Sequence, residues 1–350
     1  MIFIILYVSL FFILASISLL DEQKDKFVKI GYIVLAVALV AMAALKPIGV
    51  DKDALNYLHY YYSGSPDFEL EFTFLLIMDV AGKVFNTPQF MFIAYAFLSI
   101  PIKMAVLPKL TDLWFVSVLV WMSNYFILHD LTQIRAAAAV GVFLYSLVYL
   151  QRGERLKYMM TIVVACCFHM TAMVFFPLVF LRNRPLGRLW TRGLYLAPFI
   201  GYVMAALKLD FITLLPIPYV QERVEIYEEM RDLAQMGMDE VNIFNAVYLV
   251  KLLVYYLLMW KSSIITEHMP NFPLMIKIFA LSLMSFTVFS FLPVIAFRTS
   301  EMFGIVEILL IPSLAYAVKP LNVGKILVLI FASAMLLLNI FYSELFNFTY

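Results

Sequence analysis

Residues 132–150 read TQIRAAAAVGVFLYSLVYL: an arginine, four alanines, and an apolar run that continues to Leu150. A helix over 133–150, rising about 1.5 Å per residue, matches the thickness of a bilayer's hydrocarbon core. Small residues at 136–139 and Gly141 allow neighbouring helices to approach closely, which predicts a central position in a helical bundle. Arg135 is the anomaly. A charge at membrane depth costs on the order of 3 kcal/mol or more, so an ionisable residue in a spanning segment is a candidate functional residue. Two further stretches share the pattern: His169 lies within VVACCFHMTAMVFFPLVF (163–180), and Arg298 within SFLPVIAFRTSEMFGIVEILLIP (290–312).

The rest of the chain extends this reading. Of 350 residues, 64% are hydrophobic and 14% are charged, too apolar a balance for a wetted exterior. Apolar segments recur at about 2–20, 27–45, 71–86, 89–107, 113–128, 133–150, 157–181, 193–208, 242–260, 274–292, 300–318 and 321–342. The fold class is therefore all-α, a polytopic transmembrane helical bundle of about 10–12 spans, with residues 1–350 forming a single integral membrane domain. No internal repeat and no soluble domain is visible. The first span, from residue 2, lacks the basic n-region and small-residue cleavage site of a signal peptide and reads as retained.

Two outer-face loops are long enough to carry structure, about 46–70 and about 209–241. Basic loops at 24–29, 182–192 and 319–325 are expected on the cytoplasmic side, which puts both long loops and both termini outside. The basic cluster QRGERLK at 151–157 conflicts with a strict twelve-span count. The conflict disappears if one segment between 71 and 128 fails to cross and 157–181 is broken or re-entrant. His169 sits midway along that stretch, where a break would expose backbone to a polar cavity.

Several function classes are excluded or left without support. A net charge of +1 offers no basic stripe for nucleic acid. Cys166 and Cys167 are adjacent, giving neither a disulfide framework nor a metal spacing. No metal motif, Gly-rich phosphate loop, nucleotide fingerprint or Ser-His-Asp signature stands out, so neither a metal nor another cofactor is expected.

The candidate residues fall in the loops and the anomalous spans. Asp53 and Tyr57 stand at i, i+4 in the first loop, one face apart on a helix. Glu71 heads the next span; Asp53 and Glu71 suit binding of sugar hydroxyls or general-base work, against the plainer readings of a solvated acid and a favourable helix-dipole charge. Arg135 either neutralises an anion or snorkels to headgroups. His169 is either chemical or a hydrogen-bonded structural histidine. Arg298 and Glu301, three apart, form either an ion pair or an anion site with Glu301 orienting the guanidinium, whose planar fork suits phosphate. Arg223, among Glu222, Glu225, Glu228 and Glu229, lies on either a solvated helix or a lid. Arginines, a histidine and outer-face carboxylates around a membrane cavity fit a lipid-linked pyrophosphate attacked by a sugar hydroxyl.

In this order the motifs resemble the EpsG family of Wzy-like polysaccharide polymerases. The matching residues are DKDALNY with Asp53 and Tyr57, Glu71 in ELEFTFLL, Arg135 in IRAAAA, and His169 in FHMTAM. Further along are Glu222-Arg223 and Arg298 in FRTSEMF. Asp51, Lys46 and Ala136 depart from the pattern, which has Gly, commonly Arg, and frequently Gln at those places. The resemblance implies a metal-independent membrane glycosyltransferase that joins undecaprenyl-pyrophosphate-linked oligosaccharide repeat units into O-antigen, capsule or exopolysaccharide. Its expected place is the bacterial inner membrane, multi-pass, with the active site facing the periplasm. The expected catalytic set is Arg135, His169, Arg298 and Glu71; Asp53, Tyr57, Arg223 and Glu301 are expected to bind substrate. Membrane lipid, a chain-length regulator and a flippase are the implied partners. A flippase for lipid-linked sugars, an O-antigen-type ligase and a membrane acyltransferase are the rival classes; a flippase should show repeated halves.

Overall fold

The computed structural model describes residues 1–20, 26–51, 53–63, 71–207, 221, 225, 241–343 and 345–346. The described residues are helical, with no strand among them, and the chain is a polytopic helical membrane protein. It divides into two compact units, Met1–Arg182 with Glu307–Tyr350, and Asn183–Val306.

The first unit begins with α1 (Ile2–Ser18), α2 (Lys26–Ala44), α3 (Ala54–Ser63) and α4 (Phe72–Val80), the last closing on a π-helical turn at Ala81–Phe85. Then come α5 (Gln89–Leu110), α6 (Trp114–Ser123), a π-helix at Phe126–Thr132, α7 (Ile134–Gln151) and α8 (Arg155–Phe168). A 3₁₀ helix at Met170–Phe180 follows, and the unit ends with helices Glu307–Ser313 and Leu321–Phe341.

Among the described residues, four helices are long and apolar enough to cross a bilayer: α2, α5, α7 and Leu321–Phe341. A fifth crossing is added if the bent pair Ala246–Trp260 and Ser262–His268 counts as one span. The other apolar segments expected from hydropathy form shorter or broken helices among the described residues. Segment 71–86 is α4 plus its π turn, about 21 Å of helix against a core of about 30 Å. Segment 113–128 is broken after Ser123.

The 157–181 segment is broken at its middle. α8 stops at His169, whose backbone is extended (φ −156°, ψ 118°). The Tyr158 hydroxyl donates to the Phe175 carbonyl at 2.6 Å. Were the helices collinear, Tyr158 and Phe175 would lie about 25 Å apart. The chain therefore reverses at His169, and the segment folds back on itself with the shape of a re-entrant hairpin.

α7 is central, as its small residues predict: fourteen of its residues are buried, and it packs on α5 and α8. A Cβ at Gly141 would stand 3.3 Å from the Ser99 carbonyl oxygen, so glycine permits the close approach to α5. α7 and α8 form an antiparallel pair joined at Arg152–Glu154, where Gly153 takes φ +76°. This geometry brings the start of α7 level with the end of α8, and so Arg135 level with His169. Phe143 stacks on Phe175 at 3.6 Å, fastening the re-entrant arm to α7.

In the second unit, α9 (Arg188–Ala206) packs on Phe272–Val288, with Gly201 against Thr287. Helix Ala246–Trp260 is tied to its neighbours by Tyr255 donating to the Leu194 carbonyl at 2.8 Å and Tyr248 to the Leu283 carbonyl at 3.1 Å.

Candidate active site

The re-entrant tip of α8 meets the starts of α4 and α7 in the first unit. Glu71 is the residue on which they converge. It stands at the N-terminal end of α4 in extended conformation (φ −62°, ψ 141°) and makes no side-chain cap of its own helix. Its carboxylate reaches outward instead. Oε2 accepts from Arg135 Nη1 at 2.5 Å, and Oε1 pairs with His169 Nδ1 at 2.8 Å. Oε1 also accepts the Met170 backbone N–H at 3.1 Å.

That last bond answers a question any broken helix raises. A reversal between two helices leaves buried backbone donors in need of partners, and Glu71 satisfies the one directly after the break. The Thr73 hydroxyl does the converse, donating to the Cys167 carbonyl at 2.5 Å and locking α4 to the end of α8.

Arg135 is held on one more side. It lies over the Phe74 ring, 5.3 Å from its centroid, with the buried Tyr57 packed against that same ring. Tyr57 and Phe74 are themselves in ring contact at 5.8 Å. The cluster is not sealed: the side chains of Arg135 and His169 keep 19% and 12% of their surface exposed, and Glu71 keeps 7%. A charge-assisted cluster with one open side presents a guanidinium and an imidazole to whatever enters.

Of the residues singled out from sequence, Glu71, Arg135, His169 and Tyr57 come together. Asp53 lies half-buried just ahead of α3, its carbonyl accepting the Tyr57 N–H at 3.1 Å. Arg298 and Glu301 belong to the second unit, on helix Pro293–Gly304, with Arg298 exposed and Glu301 half-buried. Arg223 lies outside the described residues.

Sequence reasoning passed over a second set of buried charges. Lys103 donates to both carboxylate oxygens of Asp130 at 2.8 Å, and Ser99 (2.5 Å) and Trp121 (3.0 Å) complete that carboxylate's partners. Lys46 pairs with Asp51 at 2.5 Å, and Tyr125 donates to Glu307 at 2.9 Å. The same signal that flagged Arg135 was available: Lys103 lies inside the apolar segment 89–107, and Glu307 inside 300–318.

The EpsG family profile matches residues 29–350, which include every motif residue named above. The chain belongs to the EpsG family. Membership makes it a membrane protein of polysaccharide biosynthesis. No curated protein and no solved structure matches the chain. In this EpsG-family protein the Glu before α4 contacts both the Arg ahead of the small-residue helix and the His of FHMTAM, and Tyr57 of the loop motif shares the Phe74 ring with that Arg, although their sequence positions run from 57 to 169. Among the described residues, no three His, Cys, Asp or Glu side chains gather with metal-binding geometry, and both cysteines are free thiols.

Proposed function

We propose that this EpsG-family protein is a polysaccharide polymerase, a glycosyltransferase that joins oligosaccharide repeat units carried on undecaprenyl pyrophosphate at the outer face of the bacterial inner membrane. The observation that carries this reading is the Glu71 carboxylate joining Arg135 to His169 at the tip of a re-entrant hairpin.

The division of labour follows from those contacts. His169 Nδ1 faces the Glu71 carboxylate, so an Nδ1–H tautomer is favoured and Nε2 becomes the proton acceptor. In the proposed reaction Nε2 takes the proton of the acceptor sugar's hydroxyl as its oxygen attacks the anomeric carbon of the donor. A new glycosidic C–O bond forms, the anomeric C–O bond to pyrophosphate breaks, and the lipid pyrophosphate leaves with the bonding electrons. Glu71 stabilises the imidazolium that results. It is a poor base in its own right, because its oxygens already serve a guanidinium, an imidazole and a backbone N–H. Arg135 neutralises the departing pyrophosphate, a preorganised cation placed where charge develops. Its remaining N–H donors extend beyond Glu71. Asp53 and Tyr57 are proposed to hold sugar hydroxyls, and Glu301 to orient Arg298 within the second unit.

Deleting the gene and resolving the surface glycan on a gel tests the reading. A polymerase deletion leaves one repeat unit on its acceptor. A flippase deletion leaves none, and a ligase deletion strands long polymer on the carrier lipid; either result overturns the proposal.

A further inference from the structure

Lys46 is 1% exposed and Asp51 2%, an ion pair removed from water beside the open cluster but touching none of its reacting groups. Such a pair yields little net stability, because desolvation offsets the attraction. Its connections suggest a different task. Besides Asp51 Oδ2, the Lys46 ammonium donates to the carbonyl of Leu131, in the π-helix four residues ahead of Arg135. Asp51 Oδ1 accepts the N–H groups of Asp53 (3.2 Å) and Ala54 (3.0 Å), capping α3, the helix that carries Tyr57. Tyr57 then meets the Phe74 ring at 5.8 Å between centres, and Arg135 lies over that same ring.

These contacts close a ring. From Leu131 it passes through Lys46, Asp51 and the start of α3 to Tyr57, then across the Phe74 ring to Arg135, and back along four residues of chain to Leu131. Phe92 fills its interior, 4.5 Å from the Lys46 ammonium and 6.1 Å between ring centres from Tyr57. The next residue of the π-helix, Asp130, is gripped by the second buried lysine, Lys103. The π-helix therefore leaves two adjacent residues, 130 and 131, each held by a buried ammonium immediately before the turn that launches Arg135.

We propose that Lys46 and Asp51 are positioning residues that set Tyr57 and Arg135 against Glu71 by fixing the capped start of α3 to the π-helix. The inference rests on the polymerase reading for its consequence in activity, but its geometric content can be tested separately. Neither residue handles substrate. Loss of the pair loosens two anchors at once, and misplacement of about 1 Å at a reacting group lowers a rate about 100-fold.

The test uses the full-length protein and the double variant Lys46→Met/Asp51→Asn. Single variants would strand a buried charge and disturb folding; the double removes both charges, and asparagine still caps α3. Two readouts are taken on protein at normal membrane levels. In hydrogen–deuterium exchange, the positioning role predicts faster exchange at 54–57 and 131–137, by about tenfold, with α5 and Leu321–Phe341 unchanged. In glycan assays it predicts at least a tenfold loss of long chains per protein, with most of the loss in kcat and little in KM. Lys46→Arg, which keeps a cation able to reach both Asp51 and the Leu131 carbonyl, is expected to retain most of both. Wild-type exchange in the double variant overturns the proposal, whatever the activity. Faster exchange with undiminished polymer overturns the positioning role. An Arg135→Ala variant run alongside separates the two ideas: if it still makes long polymer, the polymerase site is wrong, and the exchange result alone then judges the ring.

Discussion

Two clusters in the first unit are built from the same parts and differ in one respect. Around Asp130, a lysine, a serine and an indole N–H occupy the carboxylate, and both charged side chains are 0% exposed. Around Glu71, an arginine, a histidine and a backbone N–H occupy the carboxylate, yet the arginine and histidine remain partly open. A sealed, satisfied pair holds helices together. An open one leaves part of a guanidinium and of an imidazole at an accessible surface. Intramembrane charge alone does not mark a site; charge with an open side does.

The comparison breaks most sharply at the open cluster. His169→Ala and Arg135→Ala are each expected to lower polymer formation about 100-fold or more at normal protein levels, the scale of a lost general base or oriented cation. Quantitative glycan gels against membrane immunoblots measure this. Glu71→Gln keeps a hydrogen-bonding group but removes the charge that favours the Nδ1–H tautomer of His169. A loss of about tenfold or more is expected, carried by kcat and not by protein level. If these variants instead lose the folded protein and Lys103 variants lose only activity, the assignments are reversed.

At the sealed cluster the expected loss is of structure. Lys103→Met strands Asp130 and is expected to destabilise the fold by about 3–5 kcal/mol, visible as lost detergent-extractable protein. Lys103→Met with Asp130→Leu removes both charges and is expected to recover much of that level. The smallest effect is at the α5–α7 contact. Gly141→Ala presses a methyl to 3.3 Å from the Ser99 carbonyl oxygen, which should cost about 1–3 kcal/mol, read as a lower thermal midpoint.

Much of this was legible in the residues. The small-residue stretch of α7 foretold a central helix, and the charge at its start stands in a cluster with Glu71 and His169. The basic cluster at 151–157, together with His169, foretold a break. Length and hydropathy did not reveal that the break is a reversal: that depends on Tyr158 finding Phe175, a contact no periodicity encodes. Nor did they reveal that Glu71 turns away from its own helix dipole to serve Arg135, His169 and Met170. Asp53 and Tyr57 were paired by spacing, but Tyr57 joins the site through the Phe74 ring it shares with Arg135, while Asp53 lies at the start of α3. Lys46 and Asp51 stood out only as departures from the family pattern, and Lys103 was passed over although it lies inside an apolar segment.

The most direct measurement is the glycan ladder of a deletion strain complemented with His169→Ala at wild-type membrane levels. A ladder collapsed to the single repeat unit is the predicted result. Long polymer indistinguishable from wild type would contradict the assignment of the Glu71–His169–Arg135 cluster as the site of chain growth.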